Sequence, residues 1–263
     1  MKTKGKIISR DGTEIVFEKM GSGPAIILVD GAFCSKDFGP MPKLAPLLSK
    51  SFTVFIYDRR ARGESGDTMP YKIEKEIEDI EALIKSAGGS AFLFGISSGA
   101  ILSIQAVASG LNVPRLAILE PPYVGNQGGK RPGDAVQQLR NMIAEGRKGD
   151  AVKFYLTKVM GAPGIVLFIL RLTPNWSKMK ANANSLPYDV EVCGNFEMPK
   201  EMISSLTTPT LVIDSKGSPE TLRKSVELVA NTLPNGKRKS LKGSVHDVPP
   251  KILAPELIHF FMN

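Results

Sequence analysis

Two hydrophobic patterns take turns along the chain. Ala25-Ile-Ile-Leu-Val29, Phe52-Thr-Val-Phe-Ile-Tyr57, Ala91-Phe-Leu-Phe94, Pro114-Arg-Leu-Ala-Ile-Leu119 and Pro209-Thr-Leu-Val-Ile213 are short and apolar almost throughout. That is the pattern of strands covered on both faces. Between them lie stretches of helical period: over 73–86, Ile73, Ile77, Ile80 and Ile84 recur on one face with acids between them. Residues 98–109, 219–231 and 249–261 also predict helices, and 37–49 predicts an irregular one broken by Pro40, Pro42 and Pro46. At the start, 6–9 and 13–18 flank Asp11-Gly12 and predict a β-hairpin, and 237–241 predicts a last strand.

From 122 to 206 the alternation stops. Helical patterns cover 134–145, 150–160 and 164–171, with a weaker one over 174–183. The reading is therefore an α/β core built from 1–121 and 207–263, with 122–206 inserted as a helical cap. Strands alternating with helices imply a mainly parallel sheet with helices on both faces, whose site lies at the carboxyl ends of the strands. Ser97, Glu120, Asp214 and His246 each follow a predicted strand, so all four fall at that edge.

One of those edges carries a motif. Gly95-Ile96-Ser97-Ser98-Gly99 sits between an apolar strand and an apolar helix. In that context G-x-S-x-G is a sharp turn that holds a serine in a strained conformation with its hydroxyl projecting. The following helix turns its free N–H groups and positive dipole end toward that serine. A serine hydroxyl needs a base, and histidine titrates in the right range. The chain has two: His246, just past the last strand, and His259, near the end of the last helix, where a surface or helix-capping role is expected.

Composition narrows the field. The chain has 263 residues and a net charge of +8, with its basic residues dispersed. Without aromatic interleaving, nucleic acid is not an expected partner. No apolar run reaches the roughly 20 residues of a membrane span; the longest, over 164–170, falls well short. The first residues hold no apolar signal region, so a cytoplasmic protein with no membrane partner is expected. Cys34 and Cys193 are then expected as free thiols, and two histidines leave little for a metal site. No metal and no cofactor are expected.

The hairpin, the elbow at Ser97, Asp58 to Gly66 after the fourth strand, Glu120-Pro121-Pro122 after the sixth and the late His246 together resemble the α/β-hydrolase fold family, in particular its small cytosolic members with Glu-Pro-Pro after the sixth strand. The resemblance implies an eight-stranded sheet, a nucleophile at Ser97, a base at His246, and backbone donors at Ala32 and Ser98 that receive the developing oxyanion. Three departures stand out: Asp30 where the family usually has histidine, Ala61 for a usual glycine, and Ser218 where the family most often has its acid. A serine cannot orient a charged imidazole, so the acid is Glu120, Asp214 or absent, with Asp247, next to His246, a minor candidate that points elsewhere. Asp30 needs a partner near a forming oxyanion, with Arg59, Arg60 and Arg62 as candidates. Phe33, Phe168 and Trp176 are expected to line the substrate pocket, with Met160, Val166, Leu167 and Met179 as further apolar candidates. The implied activity is hydrolysis of a small ester, lactone or thioester through an acyl-enzyme. The alternatives are lyase, perhydrolase or carbon–carbon cleaving chemistry on the same scaffold, or a degenerate ligand-binding protein. Oligomeric state is left open.

Overall fold

The computed structural model describes residues 2–125 and 132–263; Met1 and 126–131, the latter inside the expected cap, lie outside the described residues. Eight strands form one sheet: β1 (Lys2–Ile8), β2 (Glu14–Met20), β3 (Ala25–Val29), β4 (Thr53–Tyr57), β5 (Phe92–Ile96), β6 (Leu116–Leu119), β7 (Thr210–Ser215) and β8 (Gly236–Leu241). Their order is β1-β2-β4-β3-β5-β6-β7-β8. The hairpin β1–β2 joins β4 antiparallel, and every pair from β4 onward is parallel.

Strands β3, β4, β5 and β6 are apolar at nearly every position because both of their faces pack on helices. In β3, Ile26 and Leu28 point to one side, where α1 (Met41–Leu48) and α11 (Pro250–Met262) supply Leu44, Leu48, Leu257 and Phe261. Ile27 and Val29 point to the other, toward α2 (Ile73–Ser86), α3 (Ser98–Ala108) and α10 (Glu220–Thr232), which supply Ile80, Leu83, Ile101 and Val226. A period of two across the strand and 3.6 along the helices thus meet in two apolar layers. The helix over 73–86 begins and ends where its pattern predicts, stopped by Gly88 and Gly89, both at positive φ.

Between β6 and β7 the chain is helical: α4 (Ala135–Ala144), α5 (Lys148–Phe154), a π-helical turn (Tyr155–Val159), α6 (Gly164–Arg171), α7 (Pro174–Ala181), α8 (Leu186–Cys193) and α9 (Lys200–Ser204). The last two were not predicted. Seven of the eight residues of α8 are buried, so it has no polar face and no helical period for a sequence pattern to reveal.

Candidate active site

Ser97 follows β5 with φ 56° and ψ −123°, and α3 starts at the next residue. The glycines of the motif are there because nothing larger fits. A Cβ on Gly95 would lie 2.4 Å from the Gly99 carbonyl oxygen, and one on Gly99 would lie 2.3 Å from the Val29 carbonyl oxygen. Loop 30–34, after β3, runs beside the elbow: a Cβ on Gly31 would stand 3.0 Å from the Ser97 Cβ.

Glu120 and His246 also hold positive φ, 51° and 54°. Three non-glycine residues in the left-handed region converge on one place, and such strain collects where surrounding structure over-determines it. Glu120 is fully buried at the end of β6. Its Oε2 accepts the backbone N–H of His246 at 2.7 Å and lies 2.9 Å from the ring Nδ1, in a contact bent away from the linear N–H direction. Its Oε1 accepts the Ser215 N–H at 2.8 Å and the Ser218 hydroxyl at 2.5 Å. Burial alone would raise this carboxyl's pKa. The bonds from His246, Ser218 and Ser215 outweigh burial and hold it below the ordinary glutamate value. With Nδ1 facing the carboxylate, the Nε2 edge of the ring is left for other partners.

Asp214 is not at this place. Buried at the end of β7, it meets Arg238 at 2.9 Å and Arg223 at 3.6 Å. His259 is exposed on α11, with its Nδ1 beside Asn263 at 3.1 Å, and Asp247 is exposed.

Ser97 and His246 line one cavity of about 410 Å³. Its walls are mostly apolar: Phe33 from loop 30–34, Tyr155, Leu156 and Val159 from the π-helical turn, Met160 just after it, and Cys193 and Phe196 farther along the chain. Of the expected pocket residues, Phe33 and Met160 are here. Phe168 and Trp176 are not, and the expectation is corrected. The exposed apolar ring of Phe168 projects from α6, while Trp176 of α7 is partly buried against the core, with the Arg171 guanidinium 5.3 Å from its ring. Val166, Leu167 and Met179 also lie outside the cavity walls. Periodicity in the inserted helices shows which residues are apolar, but not which helix faces the serine. The Tyr155–Val159 turn was legible as the end of a helical pattern and nothing more.

Loop 30–34 is held by its carbonyls. Arg59 Nη1 donates to the Asp30 carbonyl at 3.1 Å, and Arg62 Nη1 to those of Gly31 at 2.5 Å and Cys34 at 3.2 Å. Asn182 Nδ2 donates to the Phe33 carbonyl at 2.9 Å. Arg62 Nη2 donates to both carboxylate oxygens of Asp189 of α8, at 2.7 and 2.8 Å, and its Nε donates to the Ser185 hydroxyl at 2.8 Å. Asp189 also accepts the Ser98 hydroxyl at 2.7 Å and Arg59 at 3.0 Å. Arg59 in turn pairs with Glu76, and Arg60 with Asp79 and Asp11. Buried guanidinium groups require such partners, so three arginines at 59, 60 and 62 were a signal that buried acids lay elsewhere in the chain.

Among the described residues no arginine hydrogen-bonds the Asp30 side chain, and the expected partner is corrected: Arg59 bonds the Asp30 backbone carbonyl, and Arg62 those of Gly31 and Cys34. Burial pushes the Asp30 carboxyl up to about 8, so it is protonated at neutral pH and puts no charge beside Ser97. It sits by the Cys34 thiol, next to Gly39. Cys34 and Cys193 are not joined in a disulfide. Ala61 adopts φ 62°, the conformation a glycine takes without strain.

A family model described as the Alpha/beta hydrolase family matches residues 26–237. The solved structure of an alpha/beta hydrolase from Sphaerobacter thermophilus is 44% identical, covers 98% of this chain and 100% of its own, and superposes with a TM-score of 0.93. An enol-lactonase from Burkholderia xenovorans LB400 (19% identity, 98% of this chain and 100% of that one, TM-score 0.70) has the same fold. So does an esterase from Rhodococcus sp. ECU1013 (16% identity, 99% and 98%, TM-score 0.67). A search of curated proteins finds no match.

Proposed function

Because the chain belongs to the alpha/beta hydrolase family, we propose that it is a serine hydrolase of small esters, lactones or thioesters. The observation that carries this reading is that Ser97 and His246 line the same apolar cavity while Glu120 fixes the far side of the imidazole. Ser97 Oγ attacks the acyl carbon as His246 Nε2 takes its proton. Glu120 stays ionised and stabilises the imidazolium. The carbonyl oxygen becomes an oxyanion received by the N–H groups of Ser98 and Ala32. His246 then returns the proton to the leaving alcohol or thiol, and water, activated by the same ring, releases the acid and restores Ser97.

The helices between β6 and β7 act as a cap that sets substrate size, through the Tyr155–Val159 turn. The apolar walls favour an uncharged acyl group small enough for about 410 Å³. A fluorophosphonate probe tests the reading. Labelling of the folded protein that vanishes in Ser97→Ala supports an activated serine; absence of labelling in the folded wild type overturns it. Turnover of nitrophenyl esters, with loss in His246→Ala, tests the hydrolytic step.

A further inference from the structure

Among the described residues ten large apolar side chains are exposed, and six of them fall within 160–172: Met160, Ile165, Val166, Phe168, Ile169 and Leu172. Five lie on or just after α6, a helix that is apolar nearly all round and buries only Leu167 fully. It packs on α7 and the π-helical turn, and among the described residues its outer face stays exposed. A contiguous apolar face of this kind marks an interaction surface.

The charge around it says what that surface meets. Between 148 and 180 the chain carries six cations, Lys148, Lys153, Lys158, Arg171, Lys178 and Lys180, against one acid, Asp150, a net +5 of the chain's +8. None of the six forms an ion pair among the described residues, whereas Arg59, Arg60 and Arg62 are each matched by a carboxylate. Arg171, Lys148 and Lys180 line one shallow depression together with Trp176. Arg171 belongs both to this depression and to the apolar helix.

We propose that α6 and its basic surround dock onto an anionic lipid surface, with Ile165, Phe168, Ile169 and Leu172 entering the acyl boundary and the cations meeting lipid phosphates. An apolar face rimmed by lysine and arginine, with a tryptophan at its edge, is the composition that lies in a membrane interface. A second copy of the chain fits less well. A two-fold contact would set the same unpaired cations against each other. No helix among the described residues is long and apolar enough to cross a membrane, so the contact is peripheral. Met160 joins the face to the cavity, since it is both exposed and part of the cavity wall. The docked protein would therefore present its cavity mouth toward the lipid. This inference stands on exposure and charge and does not depend on Ser97 being a nucleophile.

Vesicle co-sedimentation of the full chain tests it. Partitioning into phosphatidylcholine vesicles containing roughly a third phosphatidylglycerol should exceed that into pure phosphatidylcholine by about tenfold or more. The excess should fall steeply as salt rises toward about 1 M. Phe168→Ser with Ile169→Ser should abolish binding at both salt levels, and Arg171→Glu with Lys178→Glu should remove the preference for anionic vesicles. Circular dichroism verifies that both variants stay folded. Absence of binding to anionic vesicles overturns the proposal, as does equal binding to both compositions. So does a dimer in sedimentation velocity that the Phe168→Ser, Ile169→Ser variant dissociates, which would assign the face to a second copy.

Discussion

The Ser218 hydroxyl donates to Oε1 of Glu120, whose other oxygen holds His246. Ser218, at the position where the family most often has an acid, thus supports the carboxylate proposed to act in its place. On the proposed reading the carboxylate that faces the imidazole stands at the end of β6, and Ser218 beyond β7 is its hydrogen-bond donor. Glu120→Gln is expected to lower kcat by about 10³- to 10⁴-fold, Ser218→Ala by less than about tenfold. Asp214→Asn should leave kcat near wild type and lower Tm, because Arg238 and Arg223 lose their buried partner. Nitrophenyl ester kinetics beside a thermal melt separate these outcomes; a kcat collapse in Asp214→Asn would reverse the assignment.

Arg62 bonds the carbonyl of Gly31, and that carbonyl shares a peptide unit with the Ala32 N–H. In a trans peptide the two point in opposite directions, so fixing the carbonyl aims the N–H. A charge-assisted bond to the carbonyl also polarises the N–H as a donor. Arg62→Met is expected to reduce kcat by about ten- to a hundredfold with KM little changed, since the oxyanion forms only in the transition state. Tm should fall as well, because Asp189 is left under-paired. A rise in KM at constant kcat would show that the arginine serves substrate binding instead.

The protonated Asp30 predicts a pH dependence of stability. In the unfolded chain an aspartate loses its proton near pH 4, whereas in the fold Asp30 keeps it up to about 8. Between these values the folded state binds more protons than the unfolded state. The stability contributed by Asp30 is therefore full below about pH 4 and is lost progressively as pH rises toward 8. Asp30→Asn removes that slope, so the Tm of the variant should gain on wild type from about pH 5 to pH 8. A Tm difference that is flat with pH would mean that Asp30 is ionised throughout.

Val159 faces the cavity from the π-helical turn. Val159→Phe should shift the preferred acyl chain toward acetate, lowering kcat/KM for a longer ester by about tenfold relative to the acetyl ester. Trp176→Ala should leave that ratio unchanged. The reverse result would return Trp176 to the pocket wall.

The sheet was readable because β3 to β7 are buried on both faces and apolar at nearly every position, and α2 because it has one polar face. The elbow was readable because Gly95 and Gly99 are sterically required. The inserted helices were harder. α8 carries no amphipathic signal, so Asp189, which ties together Arg59, Arg62 and Ser98, went unseen, and Asn182 had no visible task until it was found on the Phe33 carbonyl. Phe168 and Trp176 were apolar where an apolar pocket was wanted. A hydrophobic pattern does not distinguish a side chain facing a cavity from one facing outward, and for α6 that distinction changes what the helix is for.

Asp189 has a last consequence, for how the cavity opens. Through it α8 is bolted to Arg59 and Arg62, so the roof cannot lift as one plate without stranding two guanidinium groups, each costing several kcal/mol. Among the described residues the π-helical turn and α6 carry no such buried ion pair, although Val159 and the adjoining Met160 line the cavity, so that wall is held by apolar packing alone.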